Sequence, residues 1–204
     1  MRKTLLLIWF FCFGAQSWAQ FPKAIFPGDY PDPSILRDGK DYYMTHSPFY
    51  YAPGFLIWHS TDLLHWEPVC RALPEYEGSA MAPDLLKYQG RYYIYYPTST
   101  GENYVIYADN IRGPWSKPVK LDVKGIDPGH VVGEDGKRYL FTNNGWITPL
   151  SDDGLKVTGK SRKVYDGWEY PANWVTEGKD MYLESPKLLY KDGYYYMMSA
   201  EGGT

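Results

Sequence analysis

Four carboxylic acids recur along the sequence, each near a proline and each followed by an apolar stretch, a glycine turn and an aromatic segment. They are Asp32, Asp84, Asp127 and Glu184. Carboxylates that meet in one pocket repel one another, and this repulsion with partial desolvation raises the pKa of at least one of them. A pocket with one protonated and one ionised carboxyl supplies the acid and the base that cleavage of a glycosidic bond requires. An acid beside a proline is also common at the start of a turn. Four acids at the same position of four repeats nevertheless favour a shared site.

The segments that must position these acids have the character of β-strands. Aromatic and β-branched runs are bounded by turn pairs such as Asp38-Gly39 and Asp192-Gly193. The sequence contains no capped stretch of helical periodicity, so an all-β chain is predicted. The predicted strands include residues 41–46, 55–59, 91–96, 104–107, 138–141 and 194–198.

The spacing of the repeats indicates how these strands are arranged. The acid-led segments return every 43 to 57 residues, and between them residues 60–66 parallel residues 108–115. Repeats of about 40 to 50 residues with four short strands each are typical of β-propeller blades. A β-sandwich also alternates short strands but does not return an acid at one phase. Because the innermost strand of each blade lines the propeller axis, the four acids are expected to converge there.

The composition limits the classes of partner. The net charge is −3 with interspersed signs, which provides no basic surface for nucleic acid or anionic lipid. The 21 tyrosines and 8 tryptophans suit both sheet packing and stacking on sugars. We expect a carbohydrate partner, no nucleic acid and no membrane.

The first nineteen residues have the order of a secretory signal peptide. Arg2 and Lys3 precede an apolar run over residues 4–15, and Ser17-Trp18-Ala19 forms a small-x-small cleavage site. This run is too short for a spanning helix, which needs about 20 apolar residues. We therefore expect cleavage near Ala19, a secreted or periplasmic protein and a catalytic segment over residues 20–204; the alternative is an uncleaved anchor.

Several of these segments resemble the inner-strand motifs of glycoside hydrolase family 43. The resemblance covers the chain from about Ile25 to its end and follows the family's order. It lies in Tyr30-Pro-Asp32-Pro-Ser-Ile, His59-Ser-Thr-Asp62-Leu-Leu-His-Trp66, Met81-Ala-Pro-Asp84-Leu, Gly125-Ile-Asp127-Pro, Leu183-Glu184-Ser-Pro and Ala200-Glu-Gly-Gly-Thr204.

The resemblance implies a five-bladed β-propeller and an inverting mechanism. Asp32 matches the general base that activates a water molecule, and Glu184 matches the general acid. Asp127 matches the third acid, which orients the general acid and tunes its acidity. Asp29 competes with Asp32 for the role of base, but it lacks the following proline and the phase of the repeats. Since the chain stops soon after the fourth repeat begins, we expect a propeller that is cut after the start of its fourth blade.

Candidate substrate-binding residues are Asp84, Met81 and Trp146. Many family members carry tryptophan at the position of Met81, where it forms a wall of the sugar subsite. The resemblance implies β-xylosides or α-L-arabinofuranosides as substrates and no required cofactor. Members often hold a histidine, sometimes with a bound cation, near the axis beyond the end of this chain, and the histidines present lack the spacing of metal ligands.

Two other functions remain as alternatives. Propeller enzymes that act on fructosides with retention use Asn-Asp-Pro and Arg-Asp-Pro motifs, whereas Pro31 precedes Asp32 and Ile126 precedes Asp127 in this sequence. A propeller that binds a glycan without cleaving it would have lost a catalytic acid, whereas all three are present.

Overall fold

The computed structural model describes residues 24–25, 27–76, 78–167 and 183–201. The predicted signal peptide therefore lies outside the described residues. Within them, the chain forms β-strands and one short 3₁₀-helix at Asn143–Gly145. No helix in these ranges has the length and apolar character needed to cross a bilayer.

The strands form one sheet after another along the chain. The first blade contains β1 (Ser34–Asp38), β2 (Asp41–Thr45), β3 (Gly54–Ser60) and β4 (Glu67–Leu73). The second contains β5 (Asp84–Tyr88), β6 (Arg91–Pro97), β7 (Asn103–Ala108) and β8 (Val119–Leu121). The third contains β9 (Gly129–Val132), β10 (Arg138–Thr142), β11 (Trp146–Leu150) and β12 (Arg162–Lys163), and a fourth begins with β13 (Leu183–Lys191) and β14 (Tyr194–Glu201).

Each blade is an antiparallel meander in which strands pair in chain order. The predicted strands agree with β2, β3, β6, β7, β10 and β14 to within a few residues. Each acid-led segment opens the first strand of its blade, as the repeats predicted. The prediction of an all-β propeller that reaches the start of a fourth blade is confirmed.

Strand β6 of the second blade carries apolar side chains on both of its faces, because it packs against a blade on each side. Side chains alternate between the two faces of a strand. Tyr92, Ile94 and Tyr96 pack in a cluster with residues of the first blade, whereas Tyr93 and Tyr95 pack in a cluster with residues of the third. A central blade is covered on both sides, so its strands show aromatic runs in place of polar alternation.

The inner strands are also joined by side chains that accept backbone N–H groups of the next blade. The hydroxyl oxygen of Ser34 accepts the N–H of Leu85 at 2.9 Å. One carboxylate oxygen of Asp84 accepts the N–H of His130 at 2.8 Å. Ser34 and Asp84 each lie two residues after the residue that precedes the proline of their repeat. These contacts join the inner strands of successive blades around the axis.

Candidate active site

In each repeat, the residue directly before the recurring proline has left-handed backbone geometry. These residues are Asp32, Ala82, Asp127 and Ser185, with φ of 52°, 39°, 56° and 49°. Positive φ is uncommon outside glycine, and such residues concentrate at functional sites. The recurring position is therefore defined by the backbone turn, and the four predicted acids do not all occupy it. Asp84 lies two residues later, and Glu184 lies one residue earlier.

These turns meet in one pocket of about 210 Å³ at the axis. Its lining combines two of the predicted catalytic acids with a cation from the fourth blade. The lining residues are Asp32, Pro33, Ala82, Pro83, Asp127, Ser185 and Lys187. Residues up to about 150 positions apart in sequence thus meet at one end of the propeller, as the acid-led repeats predicted.

Asp32 is an exposed residue at the mouth of this pocket. Its carboxylate oxygen Oδ2 accepts a short hydrogen bond from the hydroxyl of Ser47. Ser47 is itself buried and also donates its backbone N–H to the carbonyl of Pro31 at 2.9 Å. Asp29, the alternative base, is exposed and is absent from the residues that line the pocket.

Asp127 is the buried acid of the pocket, with only 9% of its surface exposed. Its Oδ2 accepts the backbone N–H of Ser185 at 3.2 Å. Burial raises the pKa of Asp127, and the negative charges of Glu184 and Asp32 raise it further. The N–H of Ser185 and the charge of Lys187 act in the opposite direction. The raised pKa is the expected consequence of burial in a small site that other carboxyls share.

Glu184 lies near the start of β13, immediately before Ser185, and is half-buried. Its charge acts on Asp127, so the two carboxyls are electrostatic neighbours. The structure therefore brings the three predicted catalytic acids to one region, from the first, third and fourth blades.

Asp84 has a different environment from these three acids. Its carboxylate is buried and pairs with the ammonium group of Lys187, with Nζ 3.0 Å from Oδ1. Lys187 Nζ also donates to the carbonyls of Pro128 at 3.0 Å and Pro83 at 3.3 Å. This arrangement connects the second, third and fourth blades beneath the pocket. With both its carboxylate oxygens engaged, Asp84 supports the floor of the pocket.

The other two candidate substrate-binding residues lie outside the residues that line the pocket. Met81 is partly exposed beside Ala82, and its backbone N–H donates to the carbonyl of Pro97 at 3.0 Å. Trp146 begins β11, the third strand from the axis, and Lys124 Nζ lies 3.7 Å from its ring centroid. Trp146 pairs with Thr142, so it lies at the same end of its blade as Asp127.

Sequence reasoning missed two polar residues of this site, Ser47 and Lys187. Ser47 follows β2 rather than opening a repeat, and no acid or proline motif marks it. Lys187 occupies in the fourth blade the position that Ser34 and Asp84 occupy in theirs, two residues after the left-handed turn. That periodic position is the signal by which Lys187 could have been found.

The acids do not form a metal centre with the residues described. No group of three histidine, cysteine or carboxylate side chains in residues 24–25, 27–76, 78–167 and 183–201 has an arrangement that could hold a metal ion. The ammonium group of Lys187 is the positive charge that the structure supplies next to Asp84 and Asp127.

Comparisons with known proteins agree with this architecture. The sequence profile of glycosyl hydrolases family 43 matches residues 21–204. A xylosidase/arabinosidase of Butyrivibrio fibrisolvens is 34% identical over 206 residues, which cover 88% of this chain and 38% of the relative. A xylan 1,3-beta-xylosidase of Vibrio sp is 36% identical over 211 residues, with the same coverage of 88% and 38%.

A solved structure gives the same result. The crystal structure of a xylan beta-1,4-xylosidase from Bacillus halodurans matches with a TM-score of 0.75 at 33% identity, over 91% of this chain and 39% of that one. The chain thus spans about two fifths of the length of the relatives that it matches. The motif resemblance is confirmed, and the chain belongs to glycosyl hydrolase family 43.

Proposed function

We propose that this chain forms part of the catalytic domain of a secreted glycoside hydrolase that cleaves β-xylosides or α-L-arabinofuranosides in plant-type polysaccharides or oligosaccharides. The relatives named above, a xylosidase/arabinosidase and two xylosidases, support this substrate class. The observation that carries the proposal is the single pocket shared by Asp32 and Asp127, with Glu184 one residue from its lining.

The proposed reaction is a single displacement with inversion at the anomeric carbon. Asp32 acts as the general base, because its carboxylate is exposed at the mouth of the pocket, where a water molecule has access. It takes a proton from that water as the oxygen attacks the anomeric carbon. Glu184 donates its proton to the departing glycosidic oxygen, so that the bond breaks without release of an alkoxide. This geometry requires the two carboxyls to lie roughly 6.5–9.5 Å apart, with room for the water between them.

Asp127 acts on the general acid through the backbone. It is buried and bonded to the N–H of Ser185, the residue that follows Glu184. Its hydrogen bond therefore holds the backbone beside the general acid.

The test compares single substitutions at the two working acids in the full-length protein. Asp32→Asn is expected to reduce kcat on aryl xyloside or arabinofuranoside by at least about a thousandfold, because the base is lost while the shape is retained. Asp29→Asn is the matched control and is expected to retain turnover. Near-normal turnover by Asp32→Asn, or loss only in Asp29→Asn, would contradict the assignment of the base.

Glu184→Gln discriminates the role of the acid through the leaving group. A good leaving group departs without protonation, so activity should fall far less on activated aryl glycosides than on substrates with poor leaving groups. Equal losses on both would argue against the acid role. NMR of the first-formed sugar is expected to reveal the anomer opposite to that of the substrate, and a retained anomer would favour the fructoside-type mechanism.

Export is the remaining part of the proposal. It is supported by the order of charged, apolar and small residues over residues 1–19. N-terminal sequencing of the protein from the periplasm or culture medium should begin at Gln20. Recovery of a membrane-bound protein that begins at Met1 or Arg2 would indicate an uncleaved anchor.

A further inference from the structure

The two neighbours of the Ser47 hydroxyl group determine which of them receives its proton. Its oxygen accepts the backbone N–H of Ala82 at 2.6 Å. A hydroxyl carries only one proton, and a second polar atom, Oδ2 of Asp32, lies within hydrogen-bond distance of the same oxygen. Because a carboxylate oxygen accepts and does not donate, the hydroxyl proton must point to Asp32. The result is a chain that runs from the Ala82 N–H through the Ser47 hydroxyl to the Asp32 carboxylate.

The surroundings of Ser47 hold this chain in place. Only 3% of Ser47 is exposed, so water does not compete for its hydroxyl. Its backbone N–H donates to Pro31, the residue before Asp32. Ser47 thus contacts the Asp32 turn through both its main chain and its side chain, and it connects that turn to the second blade.

The bond also distinguishes the two oxygens of the Asp32 carboxylate. Oδ2 is engaged by Ser47, whereas no donor among the described residues bonds Oδ1. A carboxylate fixed through one oxygen keeps the other oxygen available in a defined direction.

We propose that Ser47 is the positioning residue of the general base: its hydroxyl orients the Asp32 carboxylate. This inference rests on the proposed function, in which Asp32 activates water. Other charged or titratable groups face this part of the pocket, and they remain unchanged when Ser47 is replaced. They are Asp127 of the third blade, Glu184 and Lys187 of the fourth, and His46 beside Ser47.

Ser34 provides a matched control within the same blade. Its hydroxyl oxygen also accepts a backbone N–H of the second blade, from Leu85 at 2.9 Å, and it is equally buried at 5% exposure. No hydrogen bond joins Ser34 to Asp32 among the described residues, so Ser34→Ala removes a hydrogen bond between blades and keeps the bond from Ser47 to Asp32. A difference between Ser47→Ala and Ser34→Ala therefore reports on the bond to Asp32.

The experiment measures kcat and KM for the full-length wild type, Ser47→Ala, Ser47→Cys and Ser34→Ala, on one aryl glycoside. Cysteine keeps the approximate volume of serine but is a weak donor. Both Ser47 variants are expected to lose about 10- to 100-fold in kcat with little change in KM. Ser34→Ala is expected to keep the wild-type kcat.

Three results would overturn the inference. They are a wild-type kcat in Ser47→Ala, a wild-type kcat in Ser47→Cys, and equal losses in kcat for Ser34→Ala and Ser47→Ala. Circular dichroism and thermal unfolding establish that each variant is folded, and if Ser47→Ala does not fold, Ser47→Cys decides. A failure of the proposed function would be recognised separately, because Asp32→Asn would then retain turnover.

Discussion

Lys187 offers the sharpest test of how the inner strands hold the pocket together. Its ammonium group bonds the buried carboxylate of Asp84 and the carbonyls of Pro83 and Pro128. Replacement by methionine keeps much of the aliphatic stem and removes the charge and all three hydrogen bonds. Asp84 is then left with a single partner, the N–H of His130 at 2.8 Å.

The loss of stability follows from the burial of the pair. Removing one partner of a fully buried ion pair costs about 3–5 kcal/mol, whereas exposed pairs contribute about 0.2–1 kcal/mol. The Lys187 side chain is 36% exposed and that of Asp84 is 12% exposed, so solvent screens the pair from one side. Because Asp84 also keeps its bond to His130, we expect Lys187→Met to lower the free energy of unfolding by about 2 kcal/mol.

The pair between Lys87 and Asp38 is the matched control. Its nitrogen and oxygen are 2.7 Å apart, and both side chains are about one third exposed, at 32% and 29%. Lys87→Met makes the same chemical change beside a more exposed carboxylate and should cost less than about 1 kcal/mol. Urea unfolding of the full-length protein at pH 7, followed by tryptophan fluorescence, measures both variants under the same conditions.

A double substitution tests the reason for the loss. Asp84→Asn removes the negative charge but can still accept the N–H of His130. If an unpaired buried carboxylate causes the loss, Lys187→Met with Asp84→Asn should be more stable than Lys187→Met alone. Equal unfolding free energies for Lys187→Met and Lys87→Met, or no recovery in the double variant, would refute the reasoning.

Two further predictions concern the boundaries between blades. Burial and the charge of Arg138 lower the pKa of His130 to about 4 from 6.5, so stability should fall as the pH drops from 6.5 toward 4. His130→Gln should lose less stability in that window, and parallel pH profiles of the melting temperature would contradict this. A Cβ atom on Gly129 would lie 1.9 Å from the carbonyl oxygen of Pro186, so Gly129→Ala should lower unfolding free energy by about 1–3 kcal/mol. Gly133→Ala, which would meet only side-chain atoms, should cost less, and equal urea midpoints would contradict the close packing of the two strands.

The blade architecture could be predicted from sequence because each blade repeats the same local signals. Gly39, directly after Asp38, and the pair Asp192-Gly193 lie in the turns between the first two strands of their blades, as their turn chemistry indicated. The aromatic run of β6 identified a strand, since its residues fit a sheet covered on both faces. Sequence patterns of this kind involve only a few neighbouring residues, so they can be interpreted without knowledge of the tertiary structure.

The site could be predicted only in part, because the correct alignment of the four repeats depends on the position of the left-handed backbone turn. The sequence aligned Asp84 and Glu184 with Asp32 by their distance from a proline. In the structure, Ala82 and Ser185 are the residues that share the left-handed turn with Asp32. A shift of one or two residues changes the direction of a side chain, and this is why Asp84 faces Lys187 beneath the pocket. Ser47 could not be predicted, since its contact with Asp32 joins two loops that carry no common motif.

The residues at the left-handed turns contribute different groups to the site in alternate blades. The first and third blades place an acid at this position, Asp32 and Asp127, whereas the second and fourth place a residue that contributes its backbone N–H. The N–H of Ser185 reaches Asp127 directly, and the N–H of Ala82 reaches Asp32 through the Ser47 hydroxyl. Each acid is therefore oriented by the blade that follows it in the chain. Only proline lacks a backbone N–H, and its fixed negative φ is incompatible with the left-handed geometry of Ala82. The hydroxyl of Ser47 is therefore the point at which the orientation of the Asp32 carboxylate can be changed while the turn itself is preserved.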